Sequence, residues 1–272
     1  MGRTKPKPVA KGGGGNVVPI TAARRRGGGD TPRRAAEVSE SAATAALARA
    51  MNAKTPEGRL QHARNGLTHT CERDTQAMLL RQLYLGLLET ERFAEARVAA
   101  EQMIALGELP DVARHDAARA CQAMGEFDAA IEHLREAAAI GPIERRPFHL
   151  SSLGGLLYAI GREDEARAPL SQAVAEKGKP AALLEGQLAL AERATGLALE
   201  AAYGALSNDP ASEGYGRFVL GELAFARGDR VRARAHLEAF LEKVRRARPA
   251  SRAALAPELA RAEATLGRIV LN

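Results

Sequence analysis

The sequence predicts an all-α protein made of consecutive helix pairs, and three observations lead to this fold class. From about residue 37, Ala- and Leu-rich amphipathic segments of about 12 to 15 residues follow one another, separated by Gly, Pro or Asp. No segment alternates apolar and polar residues for long, so no β-sheet is expected. Segments of the same pattern also recur at a nearly constant spacing, which indicates a repeat architecture.

The composition is that of a folded protein without an evident metal or cofactor site. Of the 272 residues, 46% are hydrophobic, which is enough to form a core. Cys71 and Cys121 are far apart, with no CxxC pair and no His at ligand spacing, so neither a disulfide framework nor a zinc site is expected. No apolar stretch approaches the length of about 18 residues that a membrane span needs. We therefore expect a cytoplasmic protein with no membrane, metal or cofactor.

The N-terminal arm, residues 1–36, is expected to be disordered because its Gly, Pro and Arg residues offer few apolar groups to bury. It carries a net charge of +8, whereas the rest of the chain sums to −2. Its basic residues include Arg24, Arg25, Arg26, Arg33 and Arg34. Such a polycation could hold nucleic acid through counterion release. Because it lacks interleaved aromatic residues for base stacking, a solubilising or partner-docking tail is the favoured interpretation.

The repeat is clearest in three segments, 125–142, 161–178 and 228–244. Each has Gly, a polar turn, a small residue and a larger apolar residue four positions on. Aligned on the small residue, five segments have spacings of 34, 36, 32 and 35. The aligned residues are Ala96, Ala130, Ala166, Ala198 and Ala233, and the core positions thirteen residues upstream include Leu83, Ala117, Leu153 and Leu220. A period near 34 predicts a helix–turn–helix unit.

The pattern predicts six helix pairs over residues 37–250 and a C-terminal capping helix over 251–272. The pairs are 41–74, 77–110, 111–144, 147–180, 181–212 and 214–247. Small residues such as Gly154 and Ala166 allow two antiparallel helices to approach closely, and Leu170 fills the seam between them. A single pair cannot bury its apolar face, so the pairs are expected to stack into a superhelix.

Two stretches, LGGLLYAIGREDEARAPLSQAV and LGELAFARGDRVRARAHLEAF, resemble the tetratricopeptide repeat family. The resemblance implies a right-handed superhelix that binds a partner peptide on a concave face formed by the first helix of each pair. The sequence departs from the family pattern at two positions: Tyr84 occupies a first-helix position where the family has a small residue, and Glu185 occupies a core position. The carboxylate clamp of Lys and Asn known from the family is not reproduced. Its matching positions hold Arg81, Leu85, His115 and Arg119.

Outward positions of the first helices are predicted to form a partner-binding groove that is cationic in one half and aromatic in the other. Its residues are Arg81, His115, Arg119, Gln122, Phe148, Tyr158, Tyr215, Phe218 and Phe225. We expect a partner segment whose apolar part lies on Tyr158, Phe218 and Phe225 and whose acidic part lies on Arg81 and Arg119. The alternative is that each ring packs against the neighbouring pair.

No catalytic motif is present: the sequence has no GxxxxGK[ST], HExxH or GxSxG, and its six histidines are scattered. The sequence therefore predicts a non-catalytic protein-binding scaffold or adaptor in a bacterial-type cytoplasm. Two alternatives stay open. One is a nucleic-acid-associated protein that acts through the N-terminal arm. The other is a self-assembling array that docks through an apolar end at Ile269, Val270 and Leu271.

Overall fold

The computed structural model describes residues 30–177 and 181–271, without the side chains of Asp30, Thr31 and Leu271. In this part of the chain there are fourteen α-helices, one 3₁₀ turn and no strand, which confirms the all-α prediction. The predictions for Arg24, Arg25 and Arg26 lie outside the described residues.

The helices form six consecutive pairs followed by a C-terminal segment of two helices. Their bounds are α1 Asp30–Met51, α2 Pro56–Leu67, α3 Arg73–Glu89, α4 Phe93–Leu106, α5 Pro110–Ala123, α6 Phe127–Ile140, α7 Arg146–Ala159, α8 Glu163–Lys177, α9 Ala182–Ala191, α10 Gly196–Ser207, α11 Tyr215–Ala226, α12 Arg230–Arg245, α13 Pro249–Ala254 and α14 Ala256–Leu271, with the 3₁₀ turn at Pro210–Ser212. Each helix of the six pairs packs against the helices next to it in sequence.

The first helix begins earlier than expected, because α1 already includes residues of the predicted N-terminal arm. Arg33 and Arg34 lie in its first turns and are exposed. Arg33 Nε donates to Glu37 Oε1 at 3.1 Å, an i,i+4 pair of the kind that supports an exposed helix. The expectation of disorder up to residue 36 is therefore wrong for residues 30–36.

Close approach within the pairs depends on glycine, as the sequence predicts for Gly154. A Cβ placed on Gly221 would lie 2.5 Å from Leu237 Cδ2, well inside van der Waals contact. Gly154 has the same relation to Leu170 in the α7–α8 pair. Because only a hydrogen fits at these positions, the two helices of each pair approach closely and a leucine of the second helix fills the seam.

The buried alanines follow the repeat, with one shift of register. Ala96, Ala130, Ala166 and Ala233 are all fully buried, but Ala198 is exposed. Leu199, 5% exposed, takes the buried position instead. The short helix α10 begins at Gly196, which has positive φ, as does Arg193 in the turn before it, and this turn sets the new register. The alignment is therefore wrong by one residue in the fifth pair.

Gly154→Ala is expected to lower the free energy of unfolding by about 1–3 kcal/mol, because the new methyl group must displace Leu170 in a packed seam. Gly204→Ala is the matched control. Gly204 lies inside α10 with nothing within 4 Å of an added Cβ, so this change is expected to be neutral or stabilising by about 0.5–1 kcal/mol. Urea unfolding of both variants measures the difference. Equal losses would contradict the close approach of α7 and α8.

The C-terminal segment, residues 249–271, does not cover the last pair alone, as a capping helix would. Besides α12, its two helices contact α11, α7, α5 and α3. These are first helices of four pairs, and with α9 they form what we call the first-helix face. Arg252 Nη2 donates to Glu91 Oε1 at 3.0 Å, so the segment reaches the turn after α3. The C-terminal segment is therefore not a cap on the last pair: it folds back across the first-helix face.

Candidate functional site

The candidate site is a cavity of about 360 Å³ between the first-helix face and the C-terminal segment. Helices α5, α7, α9 and α11, with Leu134 of α6, supply one wall, and residues from the end of α13 to the first turn of α14 supply the other. Five residues of the predicted groove line it: His115, Arg119, Gln122, Phe148 and Tyr215. The sequence pattern therefore brings just over half of the predicted groove residues to one place.

Helix α5 presents three of these residues on one face. His115, Arg119 and Gln122 follow one another at spacings of four and three residues, so their side chains point the same way. Arg119 is half-buried and forms no hydrogen bond or ion pair with any described residue. The cavity wall thus contains a cation whose hydrogen-bond donors are free for a ligand.

A polar network of Asp111, Arg145 and His149 contacts His115. Arg145 holds Asp111 in a bidentate pair, Nε to Oδ2 at 2.7 Å and Nη2 to Oδ1 at 2.8 Å. His149 Nε2 lies 3.0 Å from Asp111 Oδ2, and His149 Nδ1 lies 3.2 Å from His115 Nδ1. A carboxylate only accepts, so His149 Nε2 is the donor to Asp111.

The network fixes the charge state of two members. Burial raises the pKa of Asp111, but hydrogen bonds from Arg145 and His149 outweigh burial and lower it to about 2. Burial lowers the pKa of His115 to about 3, and the neighbouring Arg119 acts in the same direction. At neutral pH, Asp111 is ionised and His115 is neutral. When His115 Nδ1 donates to His149 Nδ1, the lone pair of the neutral His115 ring lies on Nε2.

Sequence reasoning missed this network, although the repeat period contains the signal for it. His115 and His149 are 34 residues apart, as are Asp111 and Arg145. One period separates equivalent positions on neighbouring first helices, so polar residues at this spacing come together. The six histidines are scattered along the sequence, but the structure brings these two together, with ring centroids 5.3 Å apart.

Glu258 of α14 closes the cavity from the opposite side. Its side chain is buried, 7% exposed, and its Oε2 has no hydrogen-bond partner. Burial raises its pKa to about 7, while a hydrogen bond from Tyr215 acts in the opposite direction. Gln187 Nε2 in turn donates to the Tyr215 hydroxyl at 3.3 Å. A chain of polar groups thus links α9, α11 and the C-terminal segment around the cavity.

Glu258→Gln is expected to remove a loss of stability that the wild-type protein shows as pH rises. The folded-state pKa of about 7 lies above the ordinary 4.5, so the folded state binds the proton more tightly. Below about pH 4.5 both states are protonated, and between 4.5 and 7 unfolding becomes easier by an amount on the order of 2–3 kcal/mol. Denaturant unfolding of both proteins at pH 5 and pH 8 measures the difference. A gain at pH 8 no larger than that of the exposed control Glu238→Gln would contradict the burial of Glu258.

The aromatic half of the predicted groove is covered by the C-terminal segment. Tyr158 is 7% exposed, and its hydroxyl donates to Glu222 Oε2 at 2.8 Å. The guanidinium carbon of Arg261 lies 3.7 Å from the centre of the Tyr158 ring, and that of Arg268 lies 4.8 Å from the centre of the Phe225 ring. In this structure α14 therefore occupies the place expected for a partner.

Two predicted groove residues lie elsewhere. Phe218 is fully buried among aromatic rings, with centroid distances of 5.4 Å to Phe240 and 5.7 Å to Tyr215. It is a core residue, so its assignment to an open groove is wrong: the ring lies between Tyr158 of α7 and Phe240 of α12. Arg81 does not line the cavity and instead pairs with the buried Asp116 at 3.4 Å.

Comparison with protein-family models and with curated proteins gives no relative from which a function could be carried over. No family model matches the chain, and no curated protein matches it significantly. Within the described residues, no helix is long and apolar enough to cross a membrane, and no three His, Cys, Asp or Glu residues are placed to hold a metal ion. Function is therefore inferred from the geometry of this chain.

Proposed function

We propose that this protein is a non-catalytic scaffold or adaptor that binds a segment of another protein on its first-helix face, in the concave groove of a right-handed superhelix like that of the tetratricopeptide repeat family. One observation carries the proposal: a helix, α14, already lies on that face. A surface that holds a helix of its own chain has the shape to hold a helix or an extended segment of another.

The anchor of α14 indicates what a partner must offer. Arg261 Nε donates to Glu222 Oε2 at 3.0 Å, and its Nη1 donates to Glu163 Oε1 at 3.0 Å and to the Tyr158 carbonyl. A largely buried arginine over an aromatic ring is typical of binding hot spots. The acidic pair Glu163 and Glu222 therefore favours a cation at this end of the groove, which differs from the apolar contact expected there.

The other end of the groove suits an acidic or aromatic group. Arg119 has free donors, and the Phe148 ring is 58% exposed. A partner segment that spans both ends would combine an acidic and apolar part near Arg119 and Phe148 with a basic residue near Glu222. Such a segment competes with α14 for Glu222 and Tyr158, so release of α14 is expected to increase binding.

Site-specific cross-linking tests the proposal. A photo-cross-linking residue at Phe148 is expected to capture a partner protein in cells, whereas the same residue at Val231, 82% exposed on α12, is not. Arg261→Ala weakens the hold of α14 and is expected to increase the yield at Phe148. Equal adducts at both positions, or a yield that Arg261→Ala leaves unchanged, would argue against partner binding on this face.

The structure weakens the self-assembly alternative. Ile269, one of the three apolar residues expected at an open end, is 8% exposed and packs against Ala224 and Ala233 within the chain. Only Val270 is exposed among those whose side chains are described, at 70%. A single aliphatic side chain is far less than a stable interface between copies needs.

A further inference from the structure

We propose that the cavity between α5, α7 and the C-terminal segment binds a free α-amino acid with an apolar side chain. Three observations carry this inference: an unpaired cation, an acceptor beside it, and an apolar wall of matching size. The cavity is formed while α14 is in place, whereas the partner segment proposed above uses Arg119 and Phe148 with α14 displaced, so the ligand and the partner are expected to compete.

The size and the wall of the cavity fit a small apolar ligand. Its volume of about 360 Å³ lies at the lower end of the range for small-molecule sites, which begins near 300 Å³. Leu134, Leu183 and Leu255 line it together with the ring of Phe148. An aliphatic or aromatic side chain of the ligand would leave water for these surfaces.

The carboxylate of the ligand would be held by Arg119. This guanidinium has no partner among the described residues, and its planar array of donors matches the two oxygens of a carboxylate. Gln122, one turn further along α5, also lines the cavity, and its amide forms no hydrogen bond within the described part of the chain. The nearby acid Asp116 forms its ion pair with Arg81 and not with Arg119, although Arg119 also acts on it electrostatically.

The ammonium group of the ligand would be held by His115 and Phe148. His115 lies four residues before Arg119, so the two side chains are neighbours on one face of the helix. Its Nδ1 lies 3.2 Å from His149 Nδ1, so Nε2 is the ring nitrogen left for the cavity, and Nε2 accepts from the ammonium group when Nδ1 carries the ring proton. The exposed Phe148 ring, 4.8 Å from the His115 ring by centroid distance, offers a face for a cation. An acceptor next to a carboxylate-binding arginine is what the two charged groups of an α-amino acid require.

Glu258 and its neighbours in the C-terminal segment form one wall of the cavity, so a bound ligand can link this wall to the opposite one. Ala254, Leu255 and Glu258 form the outer wall, and Oε2 of the buried Glu258 is without a partner. A ligand that contacts both walls joins the first-helix face to the C-terminal segment. Its binding is therefore expected to raise the melting temperature of the whole chain.

Calorimetric titration of the full-length protein tests the inference with L-leucine and L-phenylalanine as probes. At least one is expected to bind saturably, with one site per chain. Leucinamide lacks the carboxylate and 4-methylpentanoate lacks the amino group, and each is expected to bind at least about tenfold more weakly than leucine. No saturable binding of either amino acid overturns the proposal. Binding of 4-methylpentanoate as tight as that of leucine overturns the role given to His115 and Phe148.

Variants locate the binding. Arg119→Gln is expected to weaken leucine binding at least about tenfold and to abolish the preference over leucinamide. Arg49→Gln, at an exposed arginine of α1 with no ion pair, is the matched control and is expected to bind like the wild-type protein. Phe148→Ala, at a 58% exposed ring, provides a second variant that should fold normally and bind more weakly. Wild-type affinity in both cavity variants would place any binding elsewhere.

Discussion

Replacing Phe218 with alanine is expected to lower the free energy of unfolding by about 3–5 kcal/mol. The ring is fully buried and lies between Tyr158, Tyr215 and Phe240, at centroid distances of 5.4 to 6.4 Å. Truncation would leave a void that helices α7, α11 and α12 cannot close without moving, so lost burial and the void both add to the loss. Urea unfolding followed by circular dichroism measures the effect.

Phe148→Ala is the control for Phe218→Ala, since it removes the same ring from an exposed position of α7. Its effect on stability is expected to stay within about 0.5 kcal/mol. The comparison also separates core from surface in the predicted groove. A small loss for Phe218→Ala, similar to that for Phe148→Ala, would contradict the burial of Phe218 between α7, α11 and α12.

Arg261→Ala is expected to cost about 3–5 kcal/mol of stability, because it leaves Glu222 buried without a counter-charge. Glu222 is 3% exposed, and Arg261 is its only ion-pair partner in the described part of the chain. The change also removes the stacking of the guanidinium on Tyr158 and the contact with Glu163. Denaturant unfolding measures the loss, and proteolysis within 249–271 should become faster as the C-terminal segment is released.

Two further variants make the Arg261 prediction specific. Arg245→Ala breaks an exposed pair with Glu263 at 3.2 Å and is expected to cost less than about 1 kcal/mol. Adding Glu222→Gln to Arg261→Ala removes the unpaired charge, so the double variant is expected to recover part of the lost stability. If Arg261→Ala were as mild as Arg245→Ala, the contact of α14 with the first-helix face would not be the anchor described above.

Most of the helical architecture could be predicted from the sequence, because it depends on local spacing. Small residues near a period of 34 mark where two helices touch, and Ala96, Ala130, Ala166 and Ala233 are indeed buried. The fifth pair could not be placed correctly, since Ala198 and Leu199 both fit a helix and the turn before Gly196 decides which one points inward. Alignment by residue type cannot resolve a shift of a single position.

The site could be predicted only in part, because the sequence pattern does not show where the C-terminal segment docks. An amphipathic helix over residues 256–271 has the same pattern whether it covers the last pair or lies across four others. His115, Arg119 and Gln122 could be found because they share one face of α5, which the segment leaves open to a cavity. Tyr158 satisfied the same positional rule, yet Arg261 of α14 covers it, and no local feature of α7 reports a contact so distant in sequence.

The contacts of the C-terminal segment across the first-helix face also affect the order in which the chain folds. Helix pairs that touch only their neighbours can form one after another, and rapidly, because their contacts are local. Arg261 instead contacts Tyr158 across 103 residues, and Arg252 contacts Glu91 across 161. The early pairs can therefore form while the chain is still being synthesised, but the contacts of residues 249–271 with α3, α5 and α7 must wait until these residues have left the ribosome. This late, long-range closure couples the early pairs to the late ones.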